Sequence, residues 1–446
     1  MMNLEGHMKI LVTGLCTLHW GRLEYGNIGN YYIVEPTFRE LHRVFPNAEI
    51  LTTFQMTEDF QCRENVRVLP MEWYYGWLPD DVPNAYCDFG MAEFFAQTGN
   101  MPVSSEFLRL VQGCDLVLNV SGEMWGDYAE PVGDGRFLVN LLRDRAVQLL
   151  EVPVVLFAGS QGPFSDRSTR DFAKIVYRNY NAVIAREPFT IKKTKQYGFD
   201  VHNTKLFACP SFLFEAEEES SQAILDKEGI VIPGDNRPLV GFTICGFNFL
   251  EQPYDKWPRS DDEYLPWAQV VEGLFTKLMA KIVLFSHTNG FDLSPQFCLK
   301  PGRDYAILRR LYEIIIKRGI LTDRDIFCIE GPYLPAQTKA IIGKMDMVVS
   351  GRAHAAVAAV SQQIPAVFLV YNEELGSSKT IGFAQLVGLE DFVVPSENIE
   401  NILRTCEACW HERSHIGTRL ATRIPQVKRV ARQAFDNLVS LLAERK

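Results

Sequence analysis

The chain has 446 residues, of which 47% are hydrophobic and 22% are charged, and its formal net charge is −10. This length predicts two domains rather than one core, and the composition is that of a folded globular protein, which excludes a disordered chain. The negative charge and the lack of a basic stripe argue against nucleic-acid binding, and no apolar run approaches the roughly 20 residues that cross a bilayer.

The sequence contains no recognisable secretion signal. The N-terminus lacks the basic and apolar regions of a signal peptide, and residues 1–8 are treated as a leader outside the fold. Ten cysteines in such a chain indicate reduced thiols. We therefore expect a cytoplasmic protein.

One cluster superficially resembles a zinc set: Cys406, Cys409, His411 and His415 in CEACWHERSHIG. Structural zinc needs four converging ligands, and this single CxxC, on an apparent helix, has no second pair at finger spacing. Partly buried helix residues are the simpler interpretation, and no metal is expected here.

Strands alternate with helices along the first half. Residues 30–45 and 136–150 have helical periodicity, and PFTIKKTKQYG has proline at an early helical position and ends at Gly198. β-Branched runs predict strands at KILVTG, AEILTTF, CDLVLNV, VPVVLFAG and NAVIARE. This alternation predicts a parallel sheet covered on both faces.

The same alternation resumes in the second half. Strands are predicted at LVGFTICG, KIVLFSH, IFCIEG, MDMVVSG and PAVFLVY. Helices are predicted near 264–279, 304–318, 335–343 and 354–362.

A polar segment between residues 215 and 236 separates the two halves. We predict an α/β fold with two Rossmann-like domains facing a cleft, at 9–222 and 236–423. Residues 424–446 are predicted to form an amphipathic helix that packs back across the domains.

Three small polar loops follow strands of the first half, where open α/β sheets bind ligands. They are GNIGN (26–30), NVSGEMWGDY after the strand near 115–120, and AGSQGP after VPVVLF. The glycines of GNIGN either bring backbone amides close to a ligand or only turn the chain, and the spacing is not that of a dinucleotide fingerprint. From these loops we predict six ligand-binding residues: Asn27, Gly29, Asn30, Gly122, Glu123 and Gln161.

Charged side chains follow other strands. Arg186 in IAREPFT either pairs with a neighbouring acid such as Glu187 or holds a carboxylate or phosphate at a helix start. In FSHTNGFD, His287 and Asp292 follow a strand, although a lone loop histidine is more often structural.

VVSGRAHAAVAAV places an arginine and a histidine where a strand gives way to a helix. Ser350 could cap that helix, Arg352 supplies a permanent charge, and His354 could transfer a proton near neutral pH. Lys379, in the loop after the last strand, is either a solvated surface lysine or part of a cationic pocket. These residues predict an anion site.

The ordered motifs GNIGN, AGSQGP, IAREPFT, FSHTNGFD, VVSGRAH and VYNEELGSSKTIGF resemble the polysaccharide pyruvyl transferase family over roughly residues 9–390. The resemblance implies a GT-B-like architecture. It also implies transfer of the enolpyruvyl unit of phosphoenolpyruvate to two hydroxyls of a sugar as a cyclic ketal. The arginine of the family's RE motif corresponds to Arg186. The arginine and histidine that precede the family's late helix correspond to Arg352 and His354, and the lysine that follows corresponds to Lys379.

These matches give the predicted roles. Arg186, Arg352 and Lys379 are expected to bind phosphoenolpyruvate, because a carboxylate and a phosphate suit two guanidiniums and an ammonium. His354 is the first choice as acid or base, with His287 or Asp292 assisting. The resemblance implies phosphoenolpyruvate as the donor substrate and a sugar or polysaccharide precursor as the acceptor, and no cofactor is expected. The six loop residues Asn27, Gly29, Asn30, Gly122, Glu123 and Gln161 are expected to bind the acceptor. Self-association is left open.

Two alternatives remain. A nucleotide-sugar glycosyltransferase would use the same two-domain cleft. A catalytically silent sugar-binding protein is the other, since Asn30 stands where the family usually has aspartate and Cys209 with Pro210 replaces an aspartate-proline pair.

Overall fold

The computed structural model describes residues 8–16, 26–101, 103–230, 237–250, 256–292, 298–371 and 378–444. Within these ranges the chain divides into two compact units. The first contains residues 8–16, 33–210 and 429–444, and the second contains 26–32 and 211–428.

The first unit is built around a seven-stranded parallel sheet of order β3-β2-β1-β4-β5-β6-β7. Strand β4 has the sequence LVLN, and all four of its residues are buried, as expected for a strand covered on both faces. The elements up to the end of this sheet are β1 Lys9–Thr13, α1 Ile28–Val44, β2 Glu49–Thr52, α2 Glu58–Glu64, β3 Arg67–Val68, α3 Asp81–Thr98, α4 Glu106–Gln112, β4 Leu116–Asn119, α5 Arg136–Leu149, β5 Val154–Gly159, α6 Arg167–Arg178, β6 Ala182–Ala185, α7 Pro188–Gln196 and β7 Thr204–Leu206.

The second unit contains a six-stranded parallel sheet of order β12-β9-β8-β13-β14-β15 and a two-stranded antiparallel sheet, β10-β11. Its elements are α8 Ser221–Lys227, β8 Leu239–Thr243, α9 Asp261–Leu278, β9 Lys281–Leu284, β10 Asn289–Asp292, β11 Cys298–Pro301, α10 Arg303–Arg318, β12 Ile326–Cys328, α11 Pro335–Ile342, β13 Met347–Ser350, α12 Ala353–Val360, β14 Ala366–Val370, α13 Ser378–Val387, β15 Val393–Pro395, α14 Ile399–His411 and α15 Arg413–Ala443.

Both parallel sheets have the strand order of a doubly wound fold, which reverses direction beside the first strand of each sheet. The reversal lies between β1 and β4 in the first unit and between β8 and β13 in the second. Ligands of open α/β sheets bind beyond the carboxyl ends of the strands at this point. The predicted α/β class with two Rossmann-like sheets is therefore confirmed.

The unit boundaries differ from the predicted domains in two places. Residues 26–32, expected in the first domain, group with the second unit, because Asn27 pairs with Thr288 and the Asn289 N–H donates to the Gly26 carbonyl. Residues from 211 onward also belong to the second unit, and the predicted domain start at residue 236 lies outside the described residues.

The C-terminal helix is longer than expected. It begins at Arg413 instead of residue 424, and Pro425 lies inside it. Residues from Arg429 onward group with the first unit, where the Phe435 ring packs 4.8 Å from that of Phe157. That this helix packs across both domains stays a prediction.

Candidate functional site

Arg352 lies directly beyond the carboxyl end of β13, at the N-cap of α12. Its Nε donates to Asp304 Oδ2 at 2.9 Å and its Nη2 donates to Asp304 Oδ1 at 2.5 Å. Asp304 is fully buried in the first turn of α10, and its backbone N–H donates to Thr288 Oγ1. The loops after β9 and β13 are therefore joined through one ion pair.

This ion pair decides how Arg352 can act. Burial lowers the pKa of its guanidinium, but the Asp304 carboxylate more than offsets this, so the pKa is raised and the group is permanently charged. Within the described ranges, its side-chain hydrogen bonds go to Asp304 alone, from Nε and Nη2. A bidentate pair fixes the orientation of the guanidinium plane.

Ser350 does not cap α12 as expected. Its hydroxyl accepts from the Arg352 N–H at 3.1 Å and donates to the Arg352 carbonyl at 2.8 Å, so it holds the turn before the helix. Gly351 follows, and a side chain there would overlap the amide of Asn248, which is buried after β8. The loops after β8 and β13 thus meet where the strand order reverses.

His354 lies in the first turn of α12 and is only 9% exposed. Its ring is tilted against that of Phe383, with 5.4 Å between centroids. A Cβ added at Gly29 would lie 2.6 Å from His354 Nδ1, so the start of α1 lies directly against the imidazole. The structure thus brings Gly29 of GNIGN, which belongs to the second unit, to His354.

His287 is buried beside Tyr32, whose ring lies 5.3 Å away at an interplanar angle of 80°. Burial, assisted by the charge of Arg352, lowers its pKa from 6.5 to about 3. Its Nε2 is buried and makes no hydrogen bond within the described ranges. At neutral pH this histidine is therefore a neutral imidazole and cannot donate a proton as an imidazolium.

Lys379 and Asp292, also predicted to act in donor binding or catalysis, lie in different surroundings. Lys379 is 7% exposed in the first turn of α13, so it is not a solvated surface lysine. The loop before it, residues 372–377, lies outside the described residues. Asp292 ends strand β10, is exposed, and forms an ion pair with Lys300 of β11.

Arg186 lies at the carboxyl end of β6 in the first unit and is 1% exposed. Its Nε donates to Ser160 Oγ at 2.9 Å, and the Ser160 N–H donates to the Gly122 carbonyl at 2.7 Å. Glu187 instead caps α7 by accepting from the Thr190 N–H. The loops after β4, β5 and β6 therefore converge on Arg186.

The other predicted residues of the first unit line this edge. Gly122 has φ +58°, and a Cβ there would lie 3.5 Å from Cys16 Sγ and 3.9 Å from Arg186 Nη1. Gln161 is buried, with its amide against the Cα of Gly159, and Glu123 is half-buried. Asn27 and Asn30 lie in the second unit with Gly29. Their roles in acceptor binding stay predictions.

The cysteine-histidine cluster does not converge. Cys406 and Cys409 are buried in α14, whereas His411 and His415 are exposed. Among the described residues, no three His, Cys, Asp or Glu side chains are arranged to hold a metal ion. No helix in the described ranges is both long and apolar enough to cross a membrane.

Sequence reasoning missed Asp304. It occupies the second position of α10 in PGRDYAIL, where an acidic residue is ordinarily explained by the helix dipole. The sequence indicated its burial only through helical spacing, because Asp304 lies on the same face of α10 as the buried residues Ile307, Leu308 and Leu311.

Several solved structures are similar to this one, among them two UDP-N-acetylglucosamine 2-epimerases and a complex of HepE with UDP and glucose. A putative UDP-N-acetylglucosamine 2-epimerase from Listeria monocytogenes has a TM-score of 0.57 and 11% identity, covering 99% of this chain and 98% of that chain. The UDP-GlcNAc 2-epimerase of Neisseria meningitidis, bound to UDP-GlcNAc, has a TM-score of 0.55 and 12% identity, covering 98% and 100%. Anabaena HepE in complex with UDP and glucose has a TM-score of 0.54 and 14% identity, covering 97% and 100%. At such identities the likeness shows the fold alone, which is GT-B-like.

None of the curated proteins matches the sequence. A family model described as polysaccharide pyruvyl transferase matches residues 27–373, from GNIGN to the loop after β14. This match spans most of the chain and includes both units, so the protein belongs to the polysaccharide pyruvyl transferase family and is a transferase by that membership.

Proposed function

We propose that this protein transfers a pyruvyl group from phosphoenolpyruvate to two hydroxyls of a glycan or glycan precursor, forming a cyclic ketal and releasing phosphate. One observation carries the proposal. A permanently charged guanidinium, oriented by the buried Asp304, lies two residues before a histidine at the reversal point of the second sheet.

The donor is a small anion with a carboxylate and a phosphate on adjacent atoms. Arg352 can donate from Nη1 to one of these groups while its Nε and Nη2 donate to Asp304. Lys379 is a second cation of the same unit, and Arg186 is the expected contribution of the first unit. The N-terminus of α12 adds the positive end of a helix dipole.

The reaction requires two proton movements. The methylene carbon of the donor gains a proton and becomes a methyl group, while the first sugar hydroxyl adds to the neighbouring carbon and loses its proton. The second hydroxyl then replaces the phosphate at that carbon, and its proton leaves with the phosphate. His354 is the proposed proton carrier, since His287 remains neutral at the pH of catalysis.

Replacing His354 with alanine is expected to lower phosphate release at least about a hundredfold, because general acid-base catalysis contributes factors of 10² to 10⁴. Phosphate release from phosphoenolpyruvate across a panel of sugar acceptors measures this. His415→Ala, at an exposed position of α15, is the matched control and should retain full turnover. Unchanged turnover in His354→Ala would remove His354 from the mechanism.

Gly29→Ala tests the position of the imidazole rather than its chemistry. The new methyl group would overlap His354 Nδ1, so the ring must move, and we expect turnover to fall by at least tenfold. The melting temperature should fall as well, because the new methyl group would also lie 2.9 Å from Cβ and Cγ of the buried His354, so turnover is compared at a temperature where both proteins are folded. Gly417→Ala, where a Cβ meets nothing within 4 Å, is the control. Full activity in Gly29→Ala would mean that catalysis does not depend on this contact.

A nucleotide-sugar donor is the second candidate. A narrow cavity of the second unit is lined by the loops after β9 and β12, among them Asn289, Glu330 and Tyr333. Several proteins of similar fold bind UDP or UDP-sugars. A rise in melting temperature with UDP and none with phosphoenolpyruvate would favour a nucleotide-sugar donor over pyruvyl transfer.

A further inference from the structure

A narrow cleft of the first unit opens beyond the carboxyl ends of β1 and β2, beside the point where the strand order reverses. Gly14, which follows β1, lines it together with Thr53, Phe54 and Gln55, which follow β2. Doubly wound sheets bind their ligands at this edge. Among the described residues that line the cleft, none was predicted from the sequence to bind a ligand.

Two aromatic rings and a guanidinium line the cleft together. The rings of Tyr75 and Trp77 meet edge to face, with 4.9 Å between centroids. Arg136 Cζ lies 4.8 Å from the centroid of the Trp77 ring, and burial lowers the pKa of this arginine only to about 10, so it is a cation at neutral pH. A Cβ at Gly133 would lie 2.5 Å from Tyr75 Oη and 3.0 Å from Trp77 Nε1, so glycine makes room for both rings. A ligand here meets aromatic surface and a positive donor side by side.

Trp77 has a backbone conformation that is rare for a bulky side chain. Its φ is +56°, in the left-handed region that glycine and asparagine adopt most readily. The Asp81 carboxylate fixes the backbone on both sides of it, because it accepts from the Gly76 N–H at 3.0 Å and from the Leu78 N–H at 2.8 Å. Strain that neighbouring groups hold in place is typical of functional positions, among them those that clamp a ligand.

Gln55 adds a hydrogen-bond acceptor to the cleft. Its Nε2 donates to the carbonyls of Thr53 at 3.1 Å and Leu69 at 2.9 Å, which uses both amide protons. Within the described ranges nothing donates to its Oε1, so this oxygen can accept from a ligand. A hydroxyl group suits a lining that contains the Gln55 acceptor and the Arg136 donor, because it both donates and accepts. A carboxylate only accepts, and the amide oxygen would repel it.

The cleft is too small for a whole sugar ring. It encloses about 310 Å³ up to its open mouth, but only about 10 Å³ can hold the centre of a water molecule. One hydroxyl-sized group therefore fits inside. Trp77 is half-buried, so part of its indole reaches the surface, where the remainder of a ligand can stack on it. A pyranose has both features, since its C–H faces stack on aromatic rings and its edge carries hydroxyl groups.

We propose that this cleft is a subsite for a neutral pyranose, which stacks on Trp77 and inserts one hydroxyl that donates to Gln55 Oε1 and accepts from Arg136. In the reaction proposed above this pyranose belongs to the acceptor glycan, and that assignment rests on the proposed function. The subsite names the acceptor as a glycan with an uncharged sugar at this position. Arg136 is then a binding residue for the acceptor, and Trp77 gives a reason for the strained backbone.

Trp77→Asn tests the subsite, because asparagine tolerates the left-handed backbone and lacks the aromatic surface. Saturation-transfer difference NMR measures binding of the methyl glycosides of glucose, galactose, mannose and N-acetylglucosamine, without phosphoenolpyruvate. We expect the unaltered protein to bind at least one of them and Trp77→Asn to bind it at least about tenfold more weakly. Trp410→Asn is the matched control, since Trp410 is also half-buried and its ring centroid lies 4.1 Å from Arg413 Cζ. It should bind like the unaltered protein.

Melting curves establish that each variant is folded at the temperature of measurement. Where Trp77→Asn is not, Trp77→Phe keeps a smaller ring and should weaken the binding about threefold. The subsite is overturned when Trp77→Asn, or Trp77→Phe in its place, binds as tightly as Trp410→Asn, or when the unaltered protein binds none of the four glycosides. Tighter binding of methyl glucuronide than of methyl glucoside would assign the cleft to an anion and overturn it as well.

Kinetics separate this inference from the proposed function. Phosphate release with an acceptor KM that Trp77→Asn leaves unchanged would retain pyruvyl transfer and remove the subsite. Glycoside binding that depends on Trp77, without phosphate release for any acceptor, would retain the subsite and remove pyruvyl transfer.

Discussion

Asp304→Asn is expected to lower the free energy of unfolding by about 3 to 5 kcal/mol, the usual cost of removing one partner of a buried ion pair. The carboxylate is fully buried and accepts two hydrogen bonds from Arg352, whose side chain is only 13% exposed. Without the carboxylate, the guanidinium stays charged in a place where water cannot solvate it. Urea unfolding of the two proteins at neutral pH measures the difference.

The same substitution should weaken donor binding. Asp304 holds two edges of the guanidinium, and asparagine can accept only one of these hydrogen bonds. Arg352 can then rotate away from the anion, so we expect the KM for phosphoenolpyruvate to rise by at least tenfold. A fall in kcat with an unchanged KM would contradict this positioning role.

A double variant separates the lost ion pair from general damage to the fold. Arg352→Met with Asp304→Asn removes the buried charge as well as its partner, so it should be less destabilised than Asp304→Asn alone. Arg310→Ala is the control, because its bidentate ion pair with Asp261 is at the surface, where water screens the charges, and its loss should change the stability little. A double variant as unstable as the sum of both single variants would show that the two side chains act separately.

The periodic segments of the sequence were sufficient to predict most of the fold. Residues 136–150 were expected to be helical and α5 covers Arg136–Leu149, and the segment expected near 304–318 is α10. These predictions succeed because local periodicity and strand burial are properties of one segment. Helix α3 was not predicted, since its aromatic residues occupy both its buried and its exposed sides.

The site was less accessible to sequence reasoning. That Arg352 and His354 stand where β13 gives way to α12 followed from the local pattern. The local pattern did not indicate that Gly29 lies against His354, which is more than 300 residues further along the chain. This contact depends on which unit packs around GNIGN. The burial of His287 was equally hidden, since a histidine in a loop carries no local sign of its depth.

Helix α5 also contains polar residues whose burial was not evident from the sequence. Its pattern RFLVNLLRDRAVQLL predicts one apolar face, with Asn140 and Asp144 among its polar positions. In the structure both are fully buried, and α5 is covered on nearly all sides. The carboxyl group of Asp144 therefore lies in the core.

Asp144 makes the stability of the first unit depend on pH. Asn119 Nδ2 donates to its Oδ2 at 2.6 Å, and Asn140 and the Tyr180 hydroxyl donate to the same oxygen. Burial nevertheless dominates and raises its pKa from 3.8 to about 7. Arg143 of the same helix is paired with Asp88 of α3, so it does not serve Asp144 as a partner.

The direction of the effect follows from linkage. The folded state holds the Asp144 proton more tightly than the unfolded state, so this stabilisation is complete below about pH 4 and is lost as the pH rises to about 7. This rise in the pKa of Asp144 corresponds to about 4 kcal/mol in the free energy of unfolding. Asp144→Asn cannot ionise, so its stability relative to the unaltered protein should increase by about that amount between pH 4 and pH 8.

Asparagine also places an N–H where Asp144 Oδ1 is buried without a hydrogen bond, at a cost of about 1 to 3 kcal/mol that does not vary with pH. We therefore expect Asp144→Asn to be the less stable protein near pH 4, where Asp144 is protonated in the folded state and still partly protonated in the unfolded state, and the more stable one at pH 8. Urea unfolding followed by tryptophan fluorescence measures this, since Trp125 donates to the Tyr180 hydroxyl beside Asp144. Asp171→Asn, which alters an exposed carboxylate, should differ from the unaltered protein by the same amount at both pH values. A constant difference for Asp144→Asn as well would mean that burial does not hold the Asp144 proton.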